Sequence, residues 1–268
     1  MNKKRLSAIV AVGLLIGVYA VERYFDVEEA KDIIEEGIKV KGDTNTFFLP
    51  KSTTGQVIHH DSYSLSYHEA YEQPEWVAYE LKKSHLSTTN FKRPYFEIDP
   101  AVKTKAAHWK NYKKSGYDRG HLCPAGDRKY SQIAHDETFL TSNISPQTHA
   151  FNAGVWNSLE QKVRYWASKY DGVYVVTGGV LKGDLPTIGS EKVAVPNYFY
   201  KILIDYNKAQ PKALAFLMEH KDSKKALRSF VVPIDTVEHL TGIDFFPRLD
   251  DHLEERLERS TNLEAWGL

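Results

Sequence analysis

One cysteine, Cys123, stands in 268 residues, so the chain can form no intramolecular disulfide and no cysteine-based zinc site. Net charge is also missing: 35 Lys and Arg balance 35 Asp and Glu, which argues against a protein that holds an anionic polymer through its overall field. No internal repeat and no low-complexity tract occurs. What is present is 42% hydrophobic and 12% aromatic content, ample for a packed core in one large domain or two small ones.

Zero net charge is only a mean, because the charge is segregated. Between Ala101 and Tyr130 stand Lys103, Lys105, Lys110, Lys113, Lys114, Arg119, Arg128 and Lys129, against Asp118 and Asp127 alone. Between Asp250 and Glu264 the balance reverses, with Asp250, Asp251, Glu254, Glu255, Glu258 and Glu264 against Arg256 and Arg259. A local anionic partner therefore stays open, beside the plainer reading of a solvated lysine-rich loop. Cys123 follows His121 by two residues, too close on one strand for the side chains to meet readily. A small buried apolar residue fits it better than a Cys–His nucleophile.

The N-terminus places Lys3, Lys4 and Arg5 before an apolar run from Leu6 to Val21, the pattern of an export signal or an N-terminal membrane anchor. Residues 1–25 are thus expected to direct the chain to a periplasmic, extracellular or membrane-anchored location, with 6–21 as the membrane tether. Residues 26–46 read as a polar tether. Residues 47–268 read as a single folded domain with a C-terminal helix.

Within that domain, Gln56–His60 and Tyr63–Tyr67 alternate in polarity around a turn and predict a hairpin. His59, His60 and His68 scatter over such strands as ordinary surface or core residues rather than as metal ligands. Glu75–Leu81 predicts a strand or a short helix. Residues 150–170 predict one helix, with Val155, Leu159, Val163 and Trp166 on its buried face. Gly172–Val180, Tyr198–Tyr206 and Ala213–Met218 are strand-like, and Phe230–Val232 is a short strand. Asp235 is expected to cap the next helix, and Leu249, Leu253 and Leu257 predict a last amphipathic one. Strands surround one long helix without strict alternation, so the fold class is α+β, a central mostly antiparallel sheet flanked by helices.

The stretch from Tyr117 to Glu160 mixes ionisable residues into apolar surroundings. His121 follows Asp118-Arg119-Gly120, and an imidazole suits a general base near neutral pH. Asn152 and Glu160, eight residues apart, would lie roughly 80° apart around one helix. Asn152 offers a neutral oxygen to a hard cation such as Mg²⁺, and Glu160 could hold that cation's waters. Arg164 could meet a phosphate. Taken singly, Asn152 as a helix cap and Glu160–Arg164 as a surface pair explain the same spacing.

Asp118-Arg119-Gly120-His121, Ser142-Asn143 through Gln147, and Asn152 through Glu160 resemble the motifs of the DNA/RNA non-specific endonuclease family, which has the ββα-metal (His-Me finger) fold. Arg93 to Asp99 and Glu238 to Phe246 extend the likeness, so that it covers roughly Gln56 to Leu249. The resemblance implies His121 as general base and Asn152 as the sole direct ligand of Mg²⁺ or Mn²⁺, with Glu160 acting through water. It implies Arg119 and Arg164 as phosphate contacts, Arg93 as a contact that helps the leaving group, and Asn143 as a support of the site. Asp118 would brace the loop, Trp156 would pack in the core, and Pro124 to Asp127 belong to a variable part without a role. The expected activity is metal-dependent hydrolysis of phosphodiester bonds in DNA and RNA without sequence or sugar preference. The partners expected are nucleic acid and a second copy in a homodimer. The rivals are a non-cleaving nucleic-acid binder on the same scaffold and a metal-dependent phosphomonoesterase.

Overall fold

The computed structural model describes residues 46–206 and 210–268. The predicted export or anchor segment (1–25) and nearly all of the polar tether (26–46) lie outside the described residues. Seven strands form one sheet in the order β1-β2-β3-β6-β9-β10-β11, each pair antiparallel. They are β1 (Val57–His59), β2 (Ser64–His68), β3 (Gln73–Lys82), β6 (Gly172–Gly179), β9 (Tyr198–Asp205), β10 (Lys212–Glu219) and β11 (Val231–Val232). The hairpin predicted at its edge is β1–β2, with Val57 opposite Ser66. Glu75–Leu81 lies inside strand β3 rather than in a helix.

Successive side chains of a strand point to opposite faces, and both faces of this sheet are covered. Val77, Tyr79 and Leu81 of β3 face one core with Leu159, Val163 and Trp166. Trp76 and Ala78 face the other, with Ile234, Val237, Leu253 and Leu257. Two-sided burial is why the central strands read as nearly continuous apolar runs. Each fully buried Leu or Val contributes about 1.5–3 kcal/mol relative to exposure.

Between β3 and its neighbour β6 the chain makes a long excursion that carries the chemistry. It holds α1 (Gln132–Glu137) and a two-stranded ribbon, β4 (Asp118–His121) with β5 (Ile144–Gln147). One turn of helix follows, α2 (His149–Phe151), then a π-helical segment (Asn152–Trp156) and the long helix α3 (Asn157–Tyr170). The ribbon and helix together make a β-β-α unit. A second small ribbon, β7 (Thr187–Ile188) with β8 (Val193–Ala194), packs beside it in a third apolar cluster that includes Phe96, Tyr112 and Phe139.

Three local expectations are corrected. The single helix expected over residues 150–170 is broken, because Gly154 takes non-helical angles (φ −95°, ψ −113°) inside the π segment. Asn152 and Glu160 therefore stand on either side of a kink, and the angle expected from one straight axis does not apply. Asp235 does not cap its helix, α4 (Ile234–Thr241). Pro233 is the cap, and Asp235 lies in the first turn, where its carboxylate complements the helix dipole. Finally, α5 (Asp251–Glu258) is not the last helix. A short α6 (Leu263–Trp266) follows, and its buried Trp266 accepts a hydrogen bond at its carbonyl from Trp166 Nε1 at 2.7 Å.

Candidate active site

The β4–β5 ribbon requires glycine at its centre. Gly120 pairs with Ser145, and a Cβ on it would collide with the side chain of Gln147. Space, rather than an unusual φ, explains glycine in the Asp-Arg-Gly-His run. With the strands this close, Asp118 begins β4 opposite Gln147 and His121 ends it opposite Ile144.

Both residues open on one cleft of about 950 Å³, whose walls also carry Arg93, Lys113, Lys114, Arg119, His135, His149 and Asn152. Cations thus outnumber the one carboxylate there, Asp118. The His121 ring packs on Phe139 and Phe96, with centroids 4.9 and 5.6 Å away. Its Nε2 is buried without a hydrogen-bond partner. Burial first, then the charges of Arg93, His135 and Arg119, push its pKa down to about 3. The imidazole is therefore neutral at ordinary pH. Arg93 lies over the same two rings, 5.5 Å from Phe96 and 5.4 Å from Phe139, and Arg119 lies 4.8 Å over Phe96.

Asn152 is aimed by Asp118. Its Nδ2 donates to Asp118 Oδ2 at 3.1 Å, and the same oxygen lies 2.9 Å from His149 Nδ1. With the amide nitrogen so committed, the amide oxygen is the atom left for a ligand. An oxygen of this hardness in a site open to water suits Mg²⁺ or Mn²⁺, which keep most of their own waters.

Asn143 is fully buried beneath the cleft. Its Oδ1 accepts from the Cys123 amide at 2.8 Å, while its Nδ2 donates to the carbonyls of Cys123 and Thr138, each at 2.9 Å. It holds the chain just beyond His121. Asp99, also buried, lies 2.8 Å from His60 Nε2 and accepts from the Ala101 amide and the Ser142 hydroxyl. Burial works against its charge, but those contacts win and lower its pKa.

Glu160 and Arg164 are not among the residues lining the cleft. Arg164 Nε pairs with Asp127 Oδ1 at 2.6 Å, and its Nη2 lies 3.5 Å from Glu160. Burial pushes the Glu160 carboxyl up to about 7, against the pull of Lys201 and Arg164. Lys201 is itself wholly buried, with Nζ 3.2 Å from Thr177 Oγ1 and 4.7 Å from the Trp156 ring centroid. Arg128, counted above in a basic surface run, is buried against Tyr79 and donates to the carbonyls of Asp127 and Glu80.

Sequence reasoning missed Asp127, Lys201, His135 and His149. Lys201 had a signal, being one lysine inside the apolar strand Tyr198 to Ile204. His149 stood three residues before Asn152 in the stretch already singled out. Nothing in the sequence marked Asp127, whose importance comes from the fold bringing Arg164 and Tyr79 to it.

The profile of the DNA/RNA non-specific endonuclease family matches residues 41–252. The chain is 34% identical over 250 residues to the mitochondrial nuclease EXOG of Danio rerio, covering 87% of this chain and 72% of that protein. Against other vertebrate EXOG nucleases it spans 56% to 64% of their length. It is 32% identical to human mitochondrial endonuclease G over 204 residues, 70% of this chain and 69% of that one. The fold is similar to that in the crystal structure of an EndoG/EndoGI complex, which concerns EndoG inhibition. The TM-score is 0.67 at 30% identity, over 73% of this chain and 87% of that one.

These relatives correct the expected location. The similar animal nucleases are named mitochondrial, so export to a periplasmic or extracellular space, or anchoring through residues 6–21, is not supported. Among the described residues no helix is long and apolar enough to cross a membrane.

Proposed function

Since the chain belongs to the DNA/RNA non-specific endonuclease family, and so is a hydrolase that acts on nucleic acid, we propose that it hydrolyses phosphodiester bonds in both DNA and RNA at the cleft lined by β4, by His149 of α2 and by Asn152. His121 is the general base and Asn152 the protein ligand of a divalent ion. The observation that carries this reading is the opening of His121 and of an Asp118-held Asn152 onto one cation-rich cleft.

His121 is neutral and so offers a lone pair to a proton of water, and the anionic phosphate of a bound substrate would raise the basicity that burial holds down. With Nε2 buried, Nδ1 is the nitrogen that serves the cleft. Arg119 and Arg93, fixed over Phe96 and Phe139, bind the phosphate that flanks the reacting bond and offset charge as it develops. Asn152 would hold Mg²⁺ or Mn²⁺ through its amide oxygen. When bound, such an ion supplies Lewis-acid stabilisation of the phosphate and of the departing oxygen. With such an ion held, Glu160 would order its waters from behind the residues that line the cleft, its carboxyl beside Arg164, which is itself anchored on Asp127. Contacts to phosphate rather than to base edges give tolerance of sequence and an affinity that falls with salt.

Nicking of a supercoiled plasmid and of an RNA transcript with Mg²⁺, abolished by EDTA and restored by added metal, is the expected result. Gel shifts without products would instead establish a non-cleaving binder. Hydrolysis of p-nitrophenyl phosphate with intact polymers would establish a phosphomonoesterase.

A further inference from the structure

We propose that His149 is the proton donor to the departing sugar oxygen, a role that rests on the nuclease reading above. A phosphodiester displacement proceeds roughly in line, so the attacking water and the leaving oxygen lie on opposite sides of the phosphorus. His121, serving the water, cannot also reach the oxygen that leaves. That oxygen departs as a basic alkoxide, and a proton donor stabilises it beyond what a bound cation supplies.

His149 has the placement for this. It lines the same cleft as His121 and Asn152. Its side chain is 82% exposed yet fixed, with Nδ1 2.9 Å from Asp118 Oδ2. The same carboxylate oxygen accepts from Asn152 Nδ2 at 3.1 Å, so one group orients both the imidazole and the amide. With Nδ1 held against the Asp118 carboxylate as the donor, Nε2 is the ring nitrogen left to exchange a proton with a substrate.

The step balances with water alone. The bond from water oxygen to phosphorus forms as the bond from phosphorus to the sugar oxygen breaks. The electron pair of the broken bond stays on the sugar oxygen, which takes the proton from His149 Nε2. His121 takes the proton released by the water, and solvent reprotonates the exposed His149.

Sulfur in place of the departing bridging oxygen leaves as a thiolate and needs no proton, which separates acid catalysis from bracing. Single-turnover cleavage with Mg²⁺ is measured for wild type, His149→Ala and His149→Gln, on a DNA oligonucleotide and on its sulfur-bridged counterparts. Both variants should cut ordinary DNA about 100-fold more slowly, and the sulfur-bridged strand within about threefold of wild type. Equal losses on both substrates would overturn the proposal and make His149 a brace for Asp118. Wild-type rates on DNA for His149→Gln, which keeps a donor to Asp118, would overturn it as well. Both of those results leave the nuclease reading intact. A wild type that cuts neither substrate with Mg²⁺ or Mn²⁺ overturns the two together.

Discussion

Asn143 and Cys123 hold each other by two hydrogen bonds: the Cys123 amide donates to Asn143 Oδ1 at 2.8 Å, and Asn143 Nδ2 donates back to the Cys123 carbonyl at 2.9 Å. Both residues are fully buried, so no water replaces a lost partner. Asn143→Ala leaves the Cys123 amide and carbonyl and the Thr138 carbonyl without that side chain. The expected loss is about 2–4 kcal/mol in urea unfolding, since each orphaned buried group costs about 1–3 kcal/mol before relaxation. Turnover should fall too, because the same contacts fix the chain leaving His121. Wild-type stability in this variant would remove Asn143 as the brace of the loop.

The Cys123 thiol has no chemical role to lose. Burial first of all pushes it up to about 12, so no useful fraction of thiolate exists at neutral pH. The native protein should leave a thiol reagent such as DTNB unreacted, and the urea-unfolded chain should react at once. Cys123→Ala is expected to retain most of the cleavage rate. Fast labelling of the native state would revive the Cys–His nucleophile.

Asn152 and Asp118 should separate in a metal-binding measurement. Asn152→Ala removes the one protein oxygen proposed to touch the ion, whereas Asp118→Asn removes only its orienting charge. Titration with Mn²⁺, followed by EPR of the free ion, should show the larger loss of affinity for Asn152→Ala. The smaller loss for Asp118→Asn should lie in the range of about 10- to 100-fold seen when an orienting partner is removed. Unchanged Mn²⁺ affinity in Asn152→Ala would exclude it as a ligand.

The parts legible in the sequence were those set by local pattern. Alternation gave the β1–β2 hairpin, and apolar spacing gave the buried face of α3. The short Asp-Arg-Gly-His run and Asn152 pointed to residues that line the cleft, whereas Glu160, at the far end of the Asn-to-Glu run, does not line it. What escaped depends on contacts between distant segments. The kink at Gly154 interrupts a stretch whose side-chain spacing is helical throughout. Asp127 acquires its partners from β3 and α3, 48 and 37 residues away in the chain. Arg128 reads as one more surface cation until the fold buries it against Tyr79. The N-terminal pattern misled for a different reason: basic residues before an apolar run are a composition shared by several destinations.

His121 and Glu160 should give stability opposite dependences on pH. His121 has its folded pKa lowered from 6.5 to about 3, so the unfolded chain binds the extra proton between those values. Its contribution is present above 6.5 and is lost as pH falls toward 3. Glu160 has its folded pKa raised from 4.5 to about 7. Its contribution is present below 4.5 and is lost as pH rises through about 7. Melting temperatures between pH 4 and 8.5 should therefore fall at both ends. His121→Phe is expected to flatten the acid limb and Glu160→Gln the alkaline one. If each variant kept the wild-type limb, the burial of these groups would not be the cause.

A large carboxyl shift lies away from the cleft, where α4 and α5 meet. Glu258 of α5 is pushed up to about 9 by burial, then by Glu238, Glu254, Asp235 and Asp244. Oxygens of Asp235, Glu238 and Glu258 lie within 4.8 Å of one another, and Glu258 Oε1 is buried without a partner. A carboxyl that stays protonated in the fold but ionises near 4.5 when unfolded stabilises fully below 4.5. That contribution is lost as pH rises through about 9. Leu253 and Leu257, on the buried face of α5, then hold the helix against mutual repulsion among the acids. Glu258→Gln keeps the shape and cannot ionise. It should match wild type in thermal melts near pH 5 and exceed it increasingly between pH 7 and 9. Equal melting temperatures across that range would mean that α5 moves away enough to hydrate the carboxylate, and that the packing of its two leucines contributes less than their burial indicates.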